Sequence, residues 1–200
     1  MKYLFDLDGT LTAKETIPVI AEHFNIEEQI IPLTRQTIQG AVPFTESFME
    51  RVEILRQFSV SEISQLLSTV PLHPMLLQFI QQHHSDCIVV TGNLDCWCQA
   101  LLQKIGCKAF CSEAIVRKDK VIGIRQLLDK KEVVHRYQQQ GEYVVFIGDG
   151  HNDLEAMQQA NLAIASGLTH KPAPSLLAFT DRVFYDENEL CEQLDRIKGY

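Results

Sequence analysis

Four aspartates, in two groups near opposite ends of the chain, have the clearest potential for chemistry. Asp6 and Asp8 lie in residues 6–10, and Asp149 and Asp153 lie in residues 148–153. Carboxylates that share one crevice repel each other unless a cation lies between them. Mg²⁺ is the natural cation here, because it binds through one or two carboxylates together with substrate phosphate. A carboxylate can also act as a nucleophile, and a second one can transfer protons.

Two further motifs could bind a phosphoryl group. Thr91-Gly92-Asn93 follows an apolar run, and Lys130-Lys131 opens a predicted helix. A hydroxyl and an ammonium group can hold the equatorial oxygens of a phosphoryl group during transfer. Each motif alone has an ordinary alternative, as a loop, a helix cap or a solvated lysine. Their occurrence together, each linked to a different predicted strand, favours a functional site.

The elements that position these motifs alternate between strands and helices. Strands are predicted at residues 2–7, 87–90, 109–111, 144–147 and 162–165, and a small hairpin at 116–121. Helices are predicted at residues 74–83, 95–105, 129–140, 153–160 and 187–198. This alternation predicts an α/β fold with a Rossmann-like parallel sheet covered on both faces. The ligand crevice of such a sheet lies beyond the carboxyl ends of its strands, where the polar motifs fall.

Residues 12–72 interrupt this pattern with helical spacing. Phe44, Phe48, Val52 and Leu55 recur at intervals of four, four and three, which predicts one apolar helical face. No convincing strand pattern occurs in this segment. The sequence therefore predicts a helical insert at 12–72 within a core made of residues 1–11 and 73–200.

Composition excludes several classes of protein. The chain has 200 residues, of which 46% are hydrophobic and 22% charged, and these are ordinary globular proportions. A net charge of −8 argues against general binding of nucleic acid. No apolar run is long enough for a membrane helix, and no signal peptide is recognisable. We therefore expect a cytoplasmic protein, without membrane association, whose six cysteines are reduced thiols.

These motifs together resemble those of the haloacid dehalogenase superfamily, over essentially the whole chain. The resemblance implies that Asp6 is the nucleophile and Asp8 the general acid and base. It also implies an Mg²⁺ site formed by Asp6, the Asp8 backbone carbonyl and Asp149, with Asp153 supporting the metal waters. A further group of residues is implied to bind or lie near the substrate phosphate: Thr91, Gly92, Lys130 and Asn152.

The insert resembles the four-helix cap of the phosphoserine phosphatase branch, whose spacing matches Gln39-Gly40, Phe44 and Arg51-Val52. The resemblance implies that Glu15 binds a substrate amino group, Arg51 a carboxylate, and that Phe44 lies beside the substrate. Two alternatives stay open. Glu15 could complete a capping box with Thr12, although Pro18 favours a helix beginning near Thr16. Arg51 could lie at the edge of its apolar face with its head in water.

The expected activity is Mg²⁺-dependent hydrolysis of a small phosphate ester, with phosphoserine as the first candidate. Asn93 stands where that branch usually has glycine, Gly9 where some members have serine, and Lys131 is an alternative to Lys130. A different small ester, sugar-like or derived from thiomethyl-ribulose, is the second possibility. A phosphoacceptor signalling domain is the third, although its motifs occur in another order. The oligomeric state is not predicted.

Overall fold

A computed structural model describes residues 1–38 and 41–198, so the Gln39-Gly40 pair lies outside the described residues. Seven strands form one sheet in the order β4-β3-β2-β1-β5-β6-β7. The strands are β1 (Lys2–Phe5), β2 (Cys87–Leu94), β3 (Lys108–Arg117), β4 (Lys120–Gln126), β5 (Val144–Gly148), β6 (Leu162–Ser166) and β7 (Arg182–Phe184). All neighbours are parallel except β3 and β4. The prediction of an α/β fold with a Rossmann-like parallel sheet is confirmed.

Ten helices are described in the same ranges, and four of them lie between β1 and the next core helix. These four are α1 (Thr16–His23), α2 (Glu27–Ile38), α3 (Phe44–Leu55) and α4 (Val60–Leu67). The others are α5 (Pro74–Gln82), α6 (Asp95–Ile105), α7 (Lys130–Gln139), α8 (Leu154–Gln159), α9 (Pro174–Leu177) and α10 (Glu187–Lys198). We call α1–α4 and their connections the helical insertion. Within the described residues, none of the helices is long and apolar enough to cross a membrane.

The central strands are buried on both faces, as continuous apolar runs in parallel sheets usually are. β1 pairs with β2 through Phe5 and Val89, and with β5 through Phe5 and Ile147. Asp6 follows β1 directly and Asp149 follows β5, while Thr91 lies in the outer half of β2. The register therefore brings the three polar positions to one edge of the sheet.

The helical insertion packs on the core through apolar side chains. Phe48, Val52 and Leu55 of α3 are all buried, so the predicted apolar face of this helix faces inward. The two connections to the core run side by side, because Thr12 and Leu72 form an isolated antiparallel bridge. The division into a core of 1–11 and 73–200 and an insert of 12–72 stays a prediction.

The β3–β4 hairpin is longer than the sequence pattern indicated, and its turn contacts the helical insertion. Lys118 and Asp119 both have positive φ at the turn. The Asp119 carboxylate accepts hydrogen bonds from the hydroxyls of Ser59 and Ser61, and from the Ser61 amide at 2.9 Å. The turn therefore caps the amino-terminal end of α4 from outside that helix.

Candidate active site

Asp6, Asp149 and Asp153 form a buried acidic cluster beyond the ends of β1 and β5. Their carboxylate oxygens lie within 4.8 Å of one another. Burial raises the pKa of Asp6 well above its usual range, and the negative charge of Asp153 raises it further. Burial also raises the pKa of Asp149, against the lowering effect of a hydrogen bond from His170. Three buried carboxylates this close together repel one another, and a hard divalent cation such as Mg²⁺ would offset that repulsion.

Lys130 places its ammonium group directly against this cluster. Its Nζ lies 2.7 Å from an Asp6 oxygen and 2.6 Å from an Asp153 oxygen. Burial lowers the pKa of Lys130, but the negative charges of Asp153 and Asp6 outweigh this and raise it overall. Lys131 instead lies at the surface, 3.6 Å from Glu155. Of the two lysines, Lys130 is therefore the one that faces the cluster.

The loop after β5 is held in place by Asp153. This residue ends a short 3₁₀ turn at His151–Asp153, and its Oδ2 accepts hydrogen bonds from the amides of Asp149 at 3.0 Å and Gly150 at 3.1 Å. Its other oxygen contacts Lys130. Asp153 thus fixes both the position of Asp149 and that of the lysine.

Asp8 lies apart from the acidic cluster and is held through the first turn of α1. Its Oδ1 accepts a hydrogen bond from the Thr16 amide at 3.0 Å and another from the Thr16 hydroxyl. The Thr91 hydroxyl donates to the other oxygen at 3.5 Å, a long contact. The Asn93 side-chain amide donates a hydrogen bond to the Thr16 hydroxyl at 2.8 Å, so Asn93 helps to hold Thr16 where it contacts Asp8. Sequence reasoning did not single out Thr16.

Glu15 occupies the N-cap position of α1, but its side chain makes no capping hydrogen bond. The capping-box alternative is wrong, because α1 begins only at Thr16 and the Thr12 amide donates to the Leu7 carbonyl at 3.0 Å. Its Oε1 lies 2.9 Å from Nε2 of His170, and the same nitrogen lies 3.1 Å from Oδ2 of Asp149. Hydrogen bonds to Asp149 and then Glu15 raise the pKa of His170 to about 11, which keeps the imidazole charged. Burial raises the pKa of Glu15 to about 7.

Gly9 explains why these three polar side chains can meet. Its φ is +78°, a conformation that favours glycine. A Cβ at this position would lie 2.6 Å from the Asp149 carboxylate and 2.8 Å from both Glu15 and His170. The glycine found in place of serine therefore leaves room for His170, which sequence reasoning missed.

Arg51 projects from α3 into the space between the helical insertion and the sheet edge. Its side chain is buried, and its guanidinium contacts the Ser47 carbonyl at 3.2 Å and the Thr34 hydroxyl at 3.4 Å. Nη2 has no hydrogen-bond partner within the described ranges. Burial lowers the pKa of Arg51 to about 10. The alternative of a solvated arginine head is therefore wrong, and a buried cation with a spare donor favours an anionic ligand.

A cavity of about 50 Å³ lies between these groups. It is lined by most of the residues that the sequence had singled out: Asp6, Asp8, Glu15, Phe44, Arg51, Thr91, Gly92, Asp149 and Asn152. Lys130 and Asp153 do not line this cavity, but the Lys130 ammonium contacts both Asp6 and Asp153. The Phe44 ring stacks on Phe48 with centroids 5.2 Å apart and lies so close to Gly92 that a Cβ there would overlap it. The helical insertion thus packs directly against Gly92, in the carboxyl-terminal half of β2.

Comparison with known proteins agrees with this geometry. The family model described as haloacid dehalogenase-like hydrolase matches residues 3–158. The chain belongs to the haloacid dehalogenase-like hydrolase family. The predicted membership of this superfamily is confirmed, and with it the prediction of a hydrolase.

Two curated relatives of this hydrolase are phosphoserine phosphatases. The one from Saccharomyces cerevisiae is 28% identical over 179 residues, which cover 82% of this chain and 58% of that protein. The one from Methanocaldococcus jannaschii is 27% identical over 175 residues, covering 81% and 83%. The chain thus spans just over half the length of the yeast relative. These matches agree with the predicted resemblance to the phosphoserine phosphatase branch.

A solved structure of a substrate-bound phosphoserine phosphatase complex has the same fold. It superposes with a TM-score of 0.83 at 24% identity, covering 96% of this chain and 98% of that one. A phospho-aspartyl intermediate analogue of phosphoserine phosphatase superposes with a TM-score of 0.81, also at 24% identity, over 96% and 97%. At this identity the likeness concerns the fold alone.

Proposed function

We propose that this hydrolase is an Mg²⁺-dependent phosphomonoesterase that acts through an aspartyl phosphate on Asp6. The observation that carries the proposal is buried Asp6, which lies 2.7 Å from the Lys130 ammonium and lines the same cavity as Asp8. Asp6 would attack phosphorus while the bond from phosphorus to the ester oxygen breaks. Asp8 would give its proton to the departing alkoxide. It would then take a proton from the water that attacks the aspartyl phosphate, which releases inorganic phosphate.

The metal would be held by the carboxylates of Asp6 and Asp149, together with the Asp8 backbone carbonyl that the resemblance implies, and Asp153 would support the metal waters. A bound Mg²⁺ would offset the negative charges of phosphate and carboxylates. The described acidic cluster supports this assignment, because its oxygens are close and buried. The Asp8 side chain stays available for proton transfer, since Thr16 and Thr91 hold it outside that cluster.

Phosphate binding is assigned to residues around the Asp6 carboxylate. Lys130 would neutralise one phosphoryl oxygen, and the Thr91 hydroxyl would donate to another. Gly92 and Asn152 line the same cavity, where the absence of a side chain at 92 lets Phe44 approach. The assignment rests on this convergence and on the motif resemblance.

Phosphoserine is the first candidate substrate. The spare Nη2 donor of Arg51 suits a carboxylate, and Glu15 suits an ammonium group, with Phe44 against the substrate's apolar part. The phosphoserine phosphatases among the relatives support this choice. One observation favours the second candidate, a different small phosphate ester. His170 already contacts Oε1 of Glu15, so an ammonium group would compete with it for that oxygen.

The test is phosphate release across a panel of small phosphate esters with Mg²⁺. Wild-type activity should be lost in Asp6→Asn, and retained activity would contradict the aspartyl-phosphate mechanism. Arg51→Ala should raise KM for phosphoserine far more than for p-nitrophenyl phosphate. Equal effects on both esters would remove Arg51 from carboxylate recognition.

We also propose the predicted division into a core and a four-helix cap at residues 12–72, and a cytoplasmic location. The cap assignment is supported by residues of α1, α2 and α3 that line the cavity. The location is supported by six free cysteines, which suit a reducing compartment.

A further inference from the structure

A second and larger groove lies beside the catalytic cavity, between the helical insertion and the segment that follows β6. Its volume is about 820 Å³, within the range of roughly 300–1,000 Å³ that is typical of small-molecule sites. One wall comes from α1 and α2, and the other comes from residues 170–174, α9 and Tyr185. Neither the phosphate nor the metal assignment uses this groove.

The groove has an apolar lining that is open to solvent. Ile31, Leu177 and Tyr185 are 37%, 46% and 63% exposed, and Pro172 and Pro174 lie between them. The Tyr185 ring packs on Gly167, where a Cβ would overlap it. Contiguous apolar surface of this kind marks binding sites more often than isolated exposed side chains do.

The groove adjoins the catalytic cavity. Glu15 and Thr34 line both spaces, so these two side chains lie where the spaces meet. Thr34 accepts the hydrogen bond from Arg51, and Glu15 is held by His170. A substrate tail that extends from the cavity past these two side chains would enter the groove.

The charges around the groove are compatible with the apolar part of an anionic ester. Arg35 and Lys171 line it, and neither has an ion-pair partner among residues 1–38 and 41–198. The acid in its wall, Glu15, is already paired with His170. An apolar lining with a cationic rim is complementary to an anion that has an apolar tail.

We propose that this groove is a second substrate subsite, which binds the apolar alkyl or aryl part of a phosphate monoester whose phosphate lies at Asp6. This inference rests on the proposed phosphomonoesterase activity and extends its substrate range. The esters that use the groove carry an apolar leaving group that is longer than a serine side chain, in addition to the small esters that the catalytic cavity holds alone.

The test compares propyl, hexyl and decyl phosphate at submicellar concentrations. Each methylene that enters the groove should raise kcat/KM about twofold to fourfold, since full burial of a methylene corresponds to roughly fourfold. Leu177→Glu and Ile31→Glu, on opposite walls, should abolish this increase and lower decyl phosphate hydrolysis far more than propyl phosphate hydrolysis. Phe179→Glu is the matched control, because Phe179 is 50% exposed but does not line the groove.

A second measurement separates this inference from the proposed activity. Isothermal titration of Asp6→Asn with the same esters should show affinity that rises with chain length. Tail-dependent binding without hydrolysis by the wild type would overturn the activity and support the groove. Hydrolysis that is independent of chain length, or equally affected by Leu177→Glu and Phe179→Glu, would overturn the groove. Self-association abolished by Leu177→Glu, with no dependence on chain length, would assign the groove to a second copy of the chain instead.

Discussion

Replacing Lys130 with methionine should destabilise the protein far more than the same change at its neighbour Lys131. The Lys130 ammonium lies within 2.7 Å of both Asp6 and Asp153, and its side chain is 5% exposed. Methionine fills most of the same space but carries no charge. The two carboxylates would then stay buried without their cation. Removal of one partner from a buried ion pair costs about 3–5 kcal/mol in free energy of unfolding.

Protonation of the buried Asp6 carboxylate keeps the loss of stability at the lower end of this range. Burial already raises the pKa of Asp6, and loss of Lys130 would raise it further. Between the unfolded and folded pKa values the folded protein binds more protons, so the stability of Lys130→Met should fall as pH rises. The deficit relative to wild type should therefore be about 3 kcal/mol near pH 7 and smaller near pH 5. Lys131 makes an exposed contact at 3.6 Å, worth about 0–1 kcal/mol.

Urea unfolding monitored by circular dichroism measures these differences, first with EDTA and then with Mg²⁺. If the acidic cluster holds Mg²⁺, saturation to about 100 times Kd should restore roughly 2.7 kcal/mol to Lys130→Met. A loss below 1 kcal/mol, or a loss equal to that of Lys131→Met, would refute the inference that Lys130 neutralises the buried cluster.

Three further predictions concern other parts of the structure. Gly92→Ala should lower the free energy of unfolding in urea by about 1–3 kcal/mol, because the new Cβ meets the Phe44 ring. The loss should be smaller in a Phe44→Leu background, and an unchanged loss would contradict this contact. Arg51→Met should raise Tm, because burial of a guanidinium with an unpaired donor destabilises the folded protein. The same change should raise KM for phosphoserine at least about tenfold. A lower Tm would contradict the inference about stability. Asp119→Ala should lower the urea midpoint at pH 7. Hydrogen bonds from Ser59 and Ser61 lower the pKa of Asp119 below 3.8, so this difference should vanish as pH falls through that lowered pKa, and a difference constant with pH would contradict it.

The sequence was sufficient for the sheet core because its signals are local and strong. The runs at Val89 and Val145 are continuous and apolar, and each leads to a polar residue at the carboxyl end of its strand. Chain topology then fixes where Asp6 and Asp149 meet. By contrast, β7 has three residues and α9 has four, which are too few to show the alternation of a strand or the apolar spacing of a helix. The length of β3 was underestimated because most of its outer residues are exposed.

The polar side chains that hold the site residues in place could not be predicted in the same way. His170 lies on an irregular segment, 155 positions from Glu15, and its neighbours carry no motif. Thr16 looks like an ordinary first-turn residue of α1, yet its hydroxyl joins Asp8 to Asn93. One available signal was Gly9, because a glycine where related proteins carry serine leaves space for another side chain. The contacts that fill such a space depend on tertiary packing rather than on spacing along the chain.

The most direct test of the central claim is a search for the covalent intermediate. Asp8→Asn removes the proposed general acid and base. The protein should therefore accumulate an aspartyl phosphate when mixed with Mg²⁺ and p-nitrophenyl phosphate, whose leaving group departs without protonation. Acid quenching and mass spectrometry of the intact protein should show the mass of one added phosphoryl group, and peptide mapping should locate it on Asp6. The adduct should be absent from Asp6→Asn/Asp8→Asn. A phosphoryl group on another residue, or ester hydrolysis that proceeds unchanged in Asp6→Asn, would contradict the account.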